Sequence, residues 1–507
     1  MLRPLAVPSA LLALSLALPS SAASYYVSTG GNDSADGSLA HPWATLGRAV
    51  TTPGPGDTLF IRGTYQTQLI LRRSGSPGAY ITYTKWPGDS ATLDGAGSGL
   101  TYNRANRFGM VQLDHVSWVR VRGLRIINSP FFGVGMRVTS HVIIERNYLN
   151  NTTYSGIITW EESDSADPSA KGGHDNILID SNEVVLACND GPQECISLWG
   201  TDTFEVRYNH VHHGGPGSQG GEGIDVKCGS SHGSIHHNLV DHMNRQGIYV
   251  DAGASLTSDI DIYANVVHDC PTQDGFDIGS ESGGTLQGVR IYNNVAWNNG
   301  CNGLRFASWG STVGPMRDIT VVNNTFVGNG SGTWGNRGGI SVEASDVSNV
   351  ILRNNILSDN VQFQVYVIPA AAADVTVDHN LIDGYRAATG EVRGTDSVEG
   401  DPAFEAPLTG GFALLGTSSA INKGSSDLAP AVDMDSVARP QGAAFDIGAY
   451  EYVATAVAVA TVTPRTVAAR GRFVPGVHGV RVTGTGTRGM HDLQGRAVRA
   501  QSAAGRN

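Results

Sequence analysis

Through the middle of the chain, apolar residues fall at alternate positions in short runs, and each run ends in Asn followed by further apolar residues. VIIERNYL, FEVRYNHV, IDIYANVV and VILRNNIL are four of nine such copies, whose asparagines run from Asn147 to Asn380 at intervals of 25 to 35 residues. VRVRGLRI, at Val119–Ile126, is an earlier copy with Gly123 in the Asn place. The period of two around β-branched residues excludes helical repeats, and Leu does not recur as a leucine-rich repeat requires. Coils of this length that stack strand on strand form a parallel β-helix, an all-β solenoid. The recurring Asn then sits at a turn, where its side chain can hydrogen-bond along the stack, a structural role.

A second strand follows each copy and aligns on a leading small residue, as in GIITW, CISLW, GIDVK, GIYVD, GFDIG and GLRFA. Positions two and four are apolar and point inward; three and five point away from the core. Down the stack, position three reads Ser197, Asp225, Tyr249, Asp277 and Arg305, and position five reads Trp160, Trp199, Lys227, Asp251 and Gly279. Adjacent coils lie about 4.8 Å apart, so Asp225, Lys227, Tyr249, Asp251, Asp277 and Arg305 are expected on one face. Aromatic faces stack on sugar rings, which makes this face a candidate glycan groove with Trp160 and Trp199 at its N-terminal end. The competing reading is a solvated ladder of weak ion pairs. Glu161, Glu162 and Glu281 are further carboxylates on loops beside it, read as solvated charges.

Composition agrees with a β-rich chain: 507 residues carry 65 Gly and only 7% aromatics. The net charge is −12, yet Val453 to Asn507 holds eight Arg and one acidic residue, so the preceding part carries about −19. An acidic body argues against a nucleic-acid partner and leaves room for calcium. Residues 1–23 read as a secretory signal with an apolar stretch and small residues Ser21 and Ala23. No later apolar run is long enough to span a membrane. The chain therefore divides into a signal (1–23), a β-helix (24–452) and a basic low-complexity tail (453–507), with the product secreted and the tail a possible cell-surface attachment segment. Cys188 and Cys195 flank a short loop and are the expected disulfide, while Cys228, Cys270 and Cys301 lack CxxC spacing and read as core fillers. His210, His212 and His213 in NHVHHGG read as an ordinary turn cluster, because no carboxylate accompanies them at fixed spacing.

The opening YYVSTGGNDSADGSLAHPWATLGRAV resembles the N-terminal cap and first coil of secreted right-handed parallel β-helix carbohydrate enzymes, the pectate lyase-like superfamily. FDIGAYEY, ending at Tyr452, resembles their last coil. The resemblance implies a right-handed, single-stranded parallel β-helix. EGIDVK resembles the segment around the catalytic lysine of the chondroitinase B and alginate lyase family, which implies Lys227 as base and Glu222 as a calcium ligand. In that family an arginine on the next coil assists; here the GIYVD strand occupies its place, so Tyr249 or Arg245 would stand in. DGFDIGSE is more loosely similar to calcium-dependent pectate lyases.

The chemistry expected is β-elimination of a uronate, with Glu222, Asp225 and Asp251 on calcium and Trp160, Trp199 and Arg245 on the sugar. Asp225 and Asp251 raise the pKa of Lys227, and a cation on them would offset that. An inverting hydrolase would instead pair Asp225 with Asp277, about 9.6 Å away over two coils, or Asp251 with Asp277, about 8 Å away on the diagonal. A non-catalytic glycan-binding β-helix is the third reading. The expected partner is a plant or algal cell-wall polysaccharide, bound by a monomer. Lys227→Ala, on an open face, is expected to move stability by about 1 kcal/mol or less.

Overall fold

A computed structural model of the chain describes residues 22–100, 109–160, 173–191, 193–216, 220–307 and 312–454. The signal-like segment up to residue 21, the tail from 455, and Glu161 and Glu162 lie outside these residues. Strands paired in parallel stack coil on coil; two successive sheets, A and B, together contain 24 strands and a third, sheet C, contains 11. This is the expected right-handed parallel β-helix.

Period-two alternation produces the stack because each coil places an apolar residue directly over the one below. Val142 pairs with Ile177, Ile177 with Phe204, and Gly233 with Ile260. Val142, Ile177, Phe204 and Ile260 are buried and fill the bore of the helix. Gly233 is required there: a Cβ would meet the Phe204 ring at 2.2 Å. At the N-terminal end the short helix Leu46–Ala49 covers the first coil, with Thr45 Oγ1 accepting from Arg48 N and Trp43, Leu46 and Ala49 buried beneath it.

The bend from sheet A to sheet B explains the repeated Asn. The residue before each one occupies the left-handed region, as at Tyr208 (φ 52°), His237 (54°) and Ala264 (52°), at a cost of about 1 kcal/mol each. The Asn that follows offsets it. Asn238 Oδ1 accepts from Asn209 N and Asn209 Nδ2, and Asn238 Nδ2 donates to Val206 O and to Asn265 Oδ1. The same pattern continues from Asn147 to Asn380. A second, shorter ladder of Asn299, Asn329 and Asn360, not singled out in the sequence, forms where sheet B gives way to the approach to sheet C.

Two expectations are corrected. FDIGAYEY is not the last coil, because the last strand of the stacked sheets ends at Asp383 and parallel bridges extend the stack only to Val398, after which the chain folds back along the coils. Asn323 Nδ2 donates to Asp446 O and Gly448 O, and Arg439 forms a fully buried ion pair with Glu451 at 2.9 Å. Cys188 and Cys195 are not bonded; both are buried free thiols, and Cys195 Sγ donates instead to Ala187 O at 3.6 Å. Cys228, Cys270 and Cys301 are buried, as fillers should be. No helix among the described residues is long and apolar enough to cross a membrane.

Candidate functional site

Sheet C carries the charged face in the register that the alignment predicts. Ser197 pairs with Asp225, Asp225 with Tyr249, Tyr249 with Asp277, and Asp277 with Arg305. Trp199 pairs with Lys227, and Asp251 with Gly279. Asp225, Lys227, Tyr249, Asp251 and Asp277 thus belong to one face.

That face is not the solvated ladder considered above. Asp225 is 1% exposed, Asp251 2% and Asp277 1%. A third polar column explains part of the burial. The residue before each leading Cys or Gly is Glu194, Glu222, Gln246, Asp274 and Asn302 in successive coils, and all five are buried. Of these only Glu222 was expected. The same alignment read one position earlier would have found the rest, but Glu194 fell inside the loop interpreted as a disulfide link.

The contacts run across columns. Lys227 Nζ lies 2.5 Å from Glu194 Oε1, 2.8 Å from Asp225 Oδ2 and 5.7 Å from the centre of the Trp199 ring. Ser197 Oγ donates to Glu194 Oε2. Arg245 reaches Glu222 at 3.2 Å. Gln246 Nε2 donates to Asp277 Oδ2 at 3.1 Å, and Tyr249 OH donates to Glu281 Oε1 at 3.0 Å. Glu281 is therefore part of the site rather than a solvated charge. Gly279 is needed for that pose, since a Cβ there would meet Tyr249 OH at 2.8 Å. Arg305 is held by Glu343 at 2.9 Å and lies 5.0 Å from the Trp334 ring centre. Trp160 and Trp199 pack on each other at 5.2 Å with a 60° tilt, forming a half-buried aromatic wall.

Burial in so acidic a cluster redistributes protons. It works against the ammonium of Lys227, but Asp225, Glu194 and Asp251 outweigh it and hold the group well above the usual lysine range. Burial pushes Asp251 up to about 8 against the pull of Lys227, and Asp274 up to about 6 against Arg305. Burial and then Glu194 raise Glu222; burial and the surrounding carboxylates raise Tyr249. The cluster therefore combines a lysine held as the ammonium with two buried carboxyls, Asp225 and Asp251, that burial pushes up against the pull of Lys227. Asp225 Oδ1, Asp251 Oδ1 and Glu222 Oε2 are buried with no hydrogen-bond partner. Unsatisfied buried acceptors are costly, so three such oxygens in one cluster mark it as a place where the fold gives up stability.

Comparison with known proteins agrees with this architecture. Residues 25–189 match the family described as Pel9A-like, right handed beta helix region. The chain is 26% identical over 363 residues to the uncharacterized protein YwoF of Bacillus subtilis, spanning 66% of this chain and 74% of that protein. It is 28% identical over 152 residues to pectate lyase PEL9 of Emericella nidulans, spanning 28% of this chain and 37% of that protein. Among solved structures it is similar to the complex of XylC with xylose, with a TM-score of 0.52, 12% identity, and 75% and 87% of the two chains covered. The family match ends at residue 189, before the first of the charged columns at Glu194.

Proposed function

We propose that this pectate lyase-like β-helix is a polysaccharide-cleaving enzyme that acts on a uronate-containing glycan at the charged face of sheet C, by β-elimination. The observation that carries the reading is Lys227, a buried ammonium set between Glu194 and Asp225 beside an aromatic wall. Elimination needs a base for the C5 proton and positive charge against the uronate carboxylate. Lys227 is the candidate base, and it can act only once the carboxylates around it are neutralised. Arg305 would face the substrate carboxylate, Trp160 and Trp199 would pack on a sugar ring, and Tyr249, fixed by Glu281, would orient the reacting residue. Arg245, tied to Glu222, would position that carboxylate and reach toward the sugar.

The donor set suits calcium, because it consists of hard carboxylate oxygens and three of them lack partners. Glu222, Asp225 and Asp251 would hold the ion. These three do not form a closed cage, since among the described residues the group whose three ligand atoms lie within 4.8 Å of one another is on sheet B. A uronate carboxylate would complete the coordination. When bound, calcium would neutralise the acidic floor and the substrate carboxylate. The proposal carries with it an exported monomer acting on plant or algal cell-wall polysaccharide, with the basic tail as the attachment segment.

A second reading, the inverting hydrolase, is favoured by Asp251. A buried carboxyl whose value burial raises to about 8 suits the general acid of such a pair. Assays on uronate polysaccharides separate the two. Absorbance from unsaturated product ends, abolished by a chelator, is the outcome expected for the lyase. Reducing ends without unsaturation, formed equally with chelator, would replace it with the hydrolase, and binding without turnover would remove both.

A further inference from the structure

The histidines of NHVHHGG acquire in the fold the carboxylate that the sequence does not place beside them. At the end of sheet B, His212, Asp241, His268 and Trp297 pair in register on four successive coils. The residue after each of the first three, His213, His242 and Asp269, turns through the left-handed region, and these stack as a second column. The first column alternates imidazole and carboxylate, and the second places His213 directly over His242.

Asp241 is buried at the centre. Its Oδ2 lies 2.7 Å from His210 Nε2 and its Oδ1 2.5 Å from His242 Nδ1. The His213 and His242 rings stack with centroids 4.7 Å apart and an interplanar angle of 2°. His212 Nδ1 and His213 Nδ1 approach to 2.9 Å, so at most one of them carries a proton and the other offers a lone pair. One ligand atom from each of His213, Asp241 and His242 lies within 4.8 Å of the other two.

We infer that His213, Asp241 and His242 form a binding site for a divalent transition metal of the zinc type. Two imidazoles with one carboxylate suit such an ion, whereas calcium prefers oxygen alone. Bonds of about 2.0–2.1 Å require the ligand atoms to draw closer than they stand here, and both rings are exposed, so each can turn at the cost of one side-chain contact, His213 with His212 and His242 with Asp241. His210 on the second oxygen of Asp241 would orient that carboxylate from behind, the usual outer-shell arrangement. The ion would tie together coils at a corner separate from the charged face of sheet C, so the site is independent of the proposed activity.

Cobalt(II), which reports tetrahedral nitrogen and oxygen ligation by its visible absorption, would be titrated into the untagged, dialysed full chain and then displaced by zinc. The expected result is saturation at one ion per chain, with affinity at least about tenfold weaker in His213→Asn and in His242→Asn. Asn is chosen because Asn298 already occupies this turn position two coils beyond His242, in the same left-handed conformation. Lys227→Ala serves as the control and should bind cobalt as the unaltered chain does. Absence of saturable binding, or an affinity in both Asn variants equal to that of the unaltered chain, would overturn the site.

Discussion

The asparagine corner between sheets A and B and the charged columns of sheet C are built on one repeat, yet they treat it oppositely. At the corner the same residue recurs in coil after coil, and each copy satisfies the next: Asn238 bonds Asn209 on one side and Asn265 on the other. On sheet C almost no residue repeats. Asp225, Tyr249, Asp277 and Arg305 succeed one another in one column, and buried oxygens of Asp225 and Asp251 are left without partners. A solenoid is stabilised when neighbouring coils offer each other identical groups, so the place where that identity is given up is the place to look for chemistry.

The sharpest way to break this comparison is Lys227→Ala. Turnover is expected to fall at least about a hundredfold. The variant should also lose about 3 kcal/mol of stability, because Glu194 and Asp225 would remain buried without their cation. That replaces the small effect expected for an open face, and urea denaturation measures it. Asn238→Ala should show the converse. Loss of its ladder bonds is expected to cost about 2–3 kcal/mol, while turnover per folded molecule stays unchanged.

The pH dependence of stability distinguishes the regions further. Folded Asp251 keeps its proton up to about pH 8, whereas an unfolded Asp releases it near about 3.9. The folded state binds more protons between those values, so stability is highest at the acid end and is lost as pH rises towards 8. Asp274, with a folded value of about 6, acts in the same direction. Each group contributes a slope of at most about 1.4 kcal/mol per pH unit. Denaturation midpoints at pH 5, 6.5 and 8 should decline for the unaltered chain and decline less for Asp251→Asn. The smallest effect is expected for Trp199→Ala: a KM raised about fivefold with kcat preserved, equivalent to about 1 kcal/mol of lost ring stacking.

The stack, its register and the face shared by Lys227 and Asp251 were legible in the sequence, because alternation and a recurring Asn are local patterns copied many times. Burial of that face was not, since it depends on contacts between columns and on residues such as Glu281 and Trp334 whose approach no periodicity encodes. Glu194 was hidden by its position between two cysteines that are near neighbours in sequence but remain unbonded. FDIGAYEY was misplaced for a related reason: its partners, among them Asn323 and Thr325, lie more than a hundred residues earlier.

The product formed from a uronate polysaccharide tests the central claim most directly. The account predicts ultraviolet absorbance from unsaturated ends, present with the unaltered chain and reduced at least about a hundredfold in Lys227→Ala. New reducing ends without that absorbance, formed at an undiminished rate by Lys227→Ala, would contradict it.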